Sequence, residues 1–224
     1  MSRNQLDDFL RMLKGSPSGA VFNPWWHVDE ENDTGLLAPA IRRKHLVGYL
    51  RQRLGKAHLA VIGEALGYRG GHFSGIPMTS ERMLLSKEQQ IVVGIKPRRT
   101  SKPSVCLNGF SEPTATIVWG ALLGLGVKPD HFLLWNAFPW HSFDPRRGML
   151  SNRMPNKPEQ LSGRPVLRVF LQLLPCEQIV ALGKIAAGEL DAISVKAHCV
   201  RHPASGGAKR FRQQIEEFCN NWIR

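Results

Sequence analysis

Four short apolar runs of the sequence each end in a polar group able to do chemistry. Leu59-Ala-Val-Ile62 leads into Gly63 and Glu64, Phe132-Leu-Leu-Trp135 into Asn136, Ile179-Val-Ala-Leu182 into Gly183 and Lys184, and Ala197-His-Cys-Val200 into Arg201 and His202. A carboxylate, a carboxamide, an ammonium and an imidazole are respectively a base, a two-way hydrogen-bonding group, a phosphate contact and an acid. Open α/β sheets bind ligands in the crevice beyond the carboxyl ends of their strands, so parallel pairing of these runs would bring the four groups to one rim.

Other motifs are weaker. The turn Gly63-Glu-Ala-Leu-Gly-Tyr-Arg-Gly-Gly71 could cradle a phosphate with backbone N–H groups or be purely structural. It lacks both the Gly-Lys-Ser/Thr ending of a P-loop and the glycine spacing of a dinucleotide-binding turn. His72, His141 and His202 share no ligand-like spacing. Cys106, Cys176, Cys199 and Cys219 include no CxxC pair, which argues against a zinc ribbon or a clustered iron site, so free thiols are expected.

The elements that must hold these groups follow from periodicity. Beside the four strands, helices are expected near 112–125, 163–174, 184–191 and 207–222, with Pro113 after Ser111 as a start signal. Leu36, Leu37, Ile41, Leu46, Tyr49 and Leu50 predict a helix over 36–54, with Arg42, Arg43, Lys44, Arg51 and Arg53 on its polar faces. Leu6, Phe9, Leu10 and Leu13 mark a shorter helix followed by a Ser/Pro/Gly-rich loop. The expectation is an α/β fold, a three-layer αβα sandwich around a central, mainly parallel four-stranded sheet. Residues 1–35 are read as a mobile N-terminal arm and 36–224 as the domain carrying the chemistry.

A content of 42% hydrophobic and 21% charged residues excludes wholesale disorder and fibrous architectures. The formal net charge of +12 attracts polyanions, nucleic acid first and membrane headgroups second. No apolar run approaches the roughly 20 residues of a bilayer span, and no signal segment opens the chain, so a cytoplasmic protein is expected. Arg146, Arg147 and Arg153 in the proline-rich loop 139–158 form a further basic patch, suited to a lid or a nucleic-acid contact.

Taken in order, Gly63-Glu-Ala-Leu-Gly67 with Gly75-Ile-Pro-Met-Thr79, then Leu134-Trp-Asn-Ala-Phe-Pro-Trp140, then Arg201-His-Pro-Ala-Ser205, the motifs resemble those of the uracil-DNA glycosylase superfamily. The resemblance spans about residues 57–215 and is nearest to the branch whose first motif reads Gly-Glu-Ala-Pro-Gly. It implies a monomeric, cofactor-free base-excision repair enzyme that flips uracil out of DNA, hydrolyses its N-glycosidic bond and releases free uracil, with DNA as its partner and no membrane. By the same resemblance His202 donates to uracil O2 as charge develops there, and Asn136 bonds both N3–H and O4.

Departures from the family pattern open alternatives. Leu66 replaces a proline, and Met78 stands where the family stacks a phenylalanine, so Phe73 and Phe138 are candidates beside Met78 for covering the base. Ala65 holds the place of a water-activating aspartate, leaving Glu64 to orient water or to stabilise the turn. Gly67 holds the place of a tyrosine that walls off uracil C5; either Tyr68 swings in or the pocket accepts larger bases. The cluster-binding cysteines of that branch have no counterpart before Cys106, so no iron–sulfur cluster is expected. DNA grip falls to Lys184, Ser205, Gly206, Lys209 and Arg210, while Gly206, Gly207 and Ala208 offer no apolar wedge. Two other readings stay open: a glycosylase for 5-hydroxymethyluracil, xanthine or hypoxanthine, and a catalytically idle DNA- or base-binding relative.

Overall fold

The computed structural model describes residues 3–86, 91–92 and 96–222. In chain order its elements are α1 (Arg3–Leu13), β1 (Val21–Phe22), α2 (Ala38–Arg53), β2 (Leu59–Ala65), α3 (Gly71–Ser74), α4 (Glu81–Leu85), α5 (Pro113–Gly124), β3 (Phe132–Phe138), β4 (His141–Ser142), α6 (Lys157–Leu173), β5 (Gln178–Leu182), α7 (Lys184–Asp191), β6 (His198–Val200) and α8 (Ala208–Trp222). Four strands pair in the order β3-β2-β5-β6, every pair parallel. The central strands are apolar on both faces because helices cover both. Phe132 and Trp135 point to opposite faces of β3; Phe132 meets Trp119 of α5, while Trp135 stacks on Phe170 of α6 and touches Phe9 of α1. The architecture is the expected three-layer sandwich.

Two strands run further than their apolar runs. β2 continues through Gly63 and Glu64 to Ala65, and β3 through Asn136 to Phe138, so these polar residues are held by sheet hydrogen bonds rather than by loops. Helix α6 starts at Lys157, well before the expected 163. Asn156 accepts from the Glu159 N–H while Glu159 accepts from the Asn156 N–H, a capping box that fixes the start.

Residues 5–33, read from the sequence as part of a mobile arm, pack on the core through Leu6, Phe9, Leu13, Phe22 and Trp25. Leu6, Phe9 and Leu13 are buried, Asn23 and Trp140 side chains both donate to the Leu13 carbonyl, and β1 pairs antiparallel with β4. An amphipathic helix must cover an apolar surface, but its partners, Trp135 and Phe170, are too distant in sequence for local spacing to reveal them.

The basic face expected of α2 is likewise partly internal. Arg53 lies over the Tyr49 ring, 3.7 Å from its centroid, and donates to the carbonyls of Phe132, Ile91 and Pro129. Arg42 is fully buried, bidentate to Asp33 at 2.7 and 2.9 Å, and also donates to the His27 carbonyl. Asp33→Ala would leave the Arg42 charge buried without its counterion, so a loss of roughly 3–5 kcal/mol is expected in urea denaturation. A midpoint unchanged from wild type would show that the pair does not tie residues 21–33 to the core.

Candidate active site

The carboxyl ends of β2, β3, β5 and β6 open onto two adjoining clefts. One, of about 360 Å³, is lined by the first motif from Gly63 to Gly67 together with Met78, Glu112, Asn136, Asn152 and His202. The other, of about 660 Å³, is lined by Lys184, Arg201, Arg210 and Gln214 among others. Glu64 and His202 belong to both. A pocket of base-sized groups thus passes into a basic groove, with a carboxyl and an imidazole at the junction.

Asn136 stands directly opposite Gly63 in the parallel pairing of β2 and β3. A Cβ on Gly63 would lie 2.9 Å from Asn136 Nδ2 and 3.3 Å from Met78 Sδ. Glycine here is what lets a carboxamide and a thioether close on the strand. Asn136 Oδ1 is buried and has no hydrogen-bond partner among the described residues. Such an oxygen is an acceptor open to a donor that enters the cleft.

Met78 holds its place in the cleft with φ 46°, in the left-handed region. The Trp119 Nε1–H donates to its carbonyl at 3.1 Å. Local backbone cost of this kind persists only where the surroundings fix it.

His202 is half-buried, and its Nδ1 accepts the Ala204 N–H at 3.1 Å. That bond requires a lone pair on Nδ1 and so places the proton on Nε2. Burial, followed by the charge of Arg201, holds its pKa below the ordinary histidine value. The imidazole is a neutral Nε2–H donor. Gly183, at φ 90°, brings its backbone close: a Cβ there would lie 3.3 Å from His202 Cβ.

Two carboxyls share the cleft. Burial pushes Glu64 up, and it has neither a hydrogen-bond nor an ion-pair partner among the described residues. Burial pushes Glu112 further, to about 7. The Glu112 carboxyl packs against Gly67 and Gly70, so the space beside Gly67, expected to be open or walled by Tyr68, is occupied by Glu112 and Asn152. Sequence reasoning missed both; Glu112 read as part of the start of α5, where it is the N-cap residue.

The other expected site residues divide. Gly63, Ala65 and Gly67 line the cleft. Tyr68 does not: its ring packs edge-on against Phe110 and its hydroxyl accepts from Arg69. Phe73 stacks on Phe110 at 4.6 Å and Phe138 packs on Trp140 at 5.3 Å; both are core residues outside the cleft, whereas Met78 lines it. Lys184 and Arg210 line the basic groove, whereas Ser205, Gly206 and Lys209 are exposed beside it. Arg153 reaches the cleft, but its charge is spent on Glu159 at 2.6 and 2.7 Å. His72 and His141 bond to each other in the interior, apart from His202.

No protein-family model matches the sequence, and no curated protein is detectably similar to it. Among solved structures, wild-type Pedobacter heparinus SMUG2 matches with a TM-score of 0.66 at 12% sequence identity, over 98% of this chain and 98% of that one. At this identity the likeness is one of architecture, and the chain has the uracil-DNA glycosylase fold.

Proposed function

We infer that the protein is a monofunctional DNA glycosylase of the uracil-DNA glycosylase superfamily, acting on uracil. The observation that carries this reading is the unpartnered Asn136 Oδ1, held in one cleft with a neutral His202 and opening onto a basic groove. Uracil offers N3–H to Asn136 Oδ1 and O4 to its amide; cytosine reverses that pattern and would leave buried polar groups unpaired. Met78 covers the ring face, and Lys184, Arg201 and Arg210 face the phosphates of the flipped nucleotide.

In the reaction the C1′–N1 bond breaks with its electron pair going to the base. Negative charge gathers on uracil O2, where the Nε2–H of His202 donates to it, and the sugar becomes oxocarbenium-like. Water then bonds to C1′ and Glu64 accepts its proton, leaving an abasic sugar and the uracil anion; that proton passes through solvent to the anion, which regenerates the carboxylate and yields free uracil. Because departure precedes attack, a half-exposed carboxylate suffices where Ala65 supplies no base.

A second reading, a glycosylase for a base larger than uracil, is favoured by Met78, which is smaller than the aromatic residue of the family pattern, although Glu112 and Asn152 fill the space beside Gly67. One assay separates the readings: oligonucleotides each carrying uracil, 5-hydroxymethyluracil, xanthine, hypoxanthine or thymine are incubated with the protein without metal, then treated with alkali. Strand scission is expected at uracil and only after alkali, since the mechanism uses no lysine nucleophile. Binding of DNA with no abasic product from any base would establish an idle relative instead.

His202→Ala should slow single-turnover excision about 10²–10³-fold with DNA affinity largely kept. Asn136→Asp, which cannot donate to O4, should abolish the preference for uracil. Unchanged rates in either variant would remove that residue from the mechanism. In the groove, Lys184→Ala and Arg210→Ala should each lower the slope of log affinity against log salt by about one; a slope equal to wild type would place the phosphates elsewhere.

A further inference from the structure

The cleft contains a second buried oxygen without a partner, and the mechanism above does not use it. Glu112 Oε2, like Asn136 Oδ1, is shielded from solvent and makes no hydrogen bond among the described residues. Its carboxyl is pressed against the first motif: a Cβ on Gly70 would stand 2.2 Å from Oε2, and a Cβ on Gly67 would stand 3.1 Å from Oε1. Gly67 and Gly70 thus admit Glu112 to the cleft as Gly63 admits Asn136. The two unpaired polar atoms belong to side chains that line the same cleft.

We propose that Glu112, as a neutral carboxyl, donates a hydrogen bond to a carbonyl oxygen of the flipped base from the Gly67 side of the cleft and is a specificity residue alongside Asn136. The identity of the ligand rests on the glycosylase reading. With Asn136 on N3–H and one lone pair of O4, His202 on O2 and the sugar on N1, the second lone pair of O4 and the C5 edge are left for the remaining wall. In this proposal Glu112, with Asn152 beside it at Gly67, forms that wall. A carboxylate there would oppose the carbonyl dipole and offer no proton.

The protonation state agrees with this geometry. Burial holds the Glu112 carboxyl up at about 7, so the donor form is present below neutrality and is lost as pH rises through that value. The charged and titratable groups around it are Glu64 on β2, Arg153 before α6 and His202 beyond β6, with Tyr68 and Arg69 in the turn it packs against. None of them is ion-paired with Glu112 among the described residues, and Arg153 is held by Glu159 at 2.6 Å. Glu64 has the opposite requirement, since it must be ionised to take a proton from water. The expected profile is therefore a bell, rising as Glu64 ionises and falling as Glu112 does.

The test measures single-turnover excision from uracil-containing DNA and calorimetric binding of free uracil, each from about pH 5.5 to 8.5, for wild type, Glu112→Gln and Glu112→Leu. In wild type both quantities should fall about tenfold per pH unit above neutrality. Glu112→Gln, whose amide donates at every pH, should lose that alkaline fall, and Glu112→Leu should be at least about tenfold weaker at low pH. A role confined to packing would lower rates without removing the pH dependence. An alkaline limb retained in Glu112→Gln, or wild-type profiles flat across the range, overturns the inference, and the glutamine variant decides it even where the leucine variant fails to fold. Wild type that binds uracil with this pH dependence but excises none would sink the glycosylase reading and leave the Glu112 site standing; neither binding nor excision would remove both.

Discussion

The site depends on how closely β2 and β3 approach at a single rung. Gly63 faces Asn136 across the parallel pairing, and a methyl group on Gly63 would collide with the carboxamide at 2.9 Å. Because Asn136 sits within the strand, its backbone is fixed by the ladder, and its orientation costs little further ordering when a ligand arrives. That is preorganisation: a buried acceptor held without a partner is paid for by folding and recovered on binding. Met78 closes on the same glycine, so the groups proposed to cover a base and to read its edge are set by one contact.

Behind the cleft, a buried chain of hydrogen bonds ties four segments together. Asp29 Oδ2 meets His72 Nε2 at 3.1 Å, His72 Nδ1 meets His141 Nδ1 at 3.0 Å, and His141 Nε2 meets the Ser151 carbonyl at 2.7 Å. Proton counting constrains it. The carbonyl can only accept, so His141 donates from Nε2 and accepts at Nδ1, which obliges His72 to donate from Nδ1. Three bonds need three protons while two neutral imidazoles carry two, so the third is shared between Asp29 and His72. The chain is then electrically neutral overall, which is what a site without solvent tolerates. It joins residues 21–33 to α3, to β4 and to the loop whose next residue, Asn152, lines the cleft.

Much of this was legible in the sequence, for reasons that differ by residue. Strands buried on both faces are continuous apolar runs, and a polar residue ending such a run stands out; Glu64, Asn136, Lys184 and His202 were found that way. Glu112 was not, because it follows a loop and precedes a helix, where an acidic residue ordinarily caps or meets solvent. Its character comes from Gly67 and Gly70, more than 40 residues earlier in the chain. Arg42 and Arg53 misled for a related reason: their spacing on α2 fits a solvated face, and only Asp33 and the carbonyls of Phe132, Ile91 and Pro129 reveal them as internal. Phe73 and Phe138 were plausible as base-stacking groups by type, but the core claims both rings.

The two cleft carboxyls show how one surface can hold the same functional group in two states. Glu64 ends at the junction with a groove carrying Lys184, Arg201 and Arg210, and partial burial raises its pKa. Glu112 is enclosed by Gly67, Gly70 and Asn152 with no cation paired to it among the described residues, and enclosure alone favours the neutral form. Burial raises both carboxyls, Glu112 the further, and the proposed mechanism uses Glu64 ionised and Glu112 neutral. In the proposed reaction this division would set an anionic carboxylate beside the cationic sugar, and neutral donors, His202 among them, beside the anionic base. The neutral His202 of that proposal is held by the Ala204 N–H, which its Nδ1 accepts, so its Nε2–H is the group left to face the cleft.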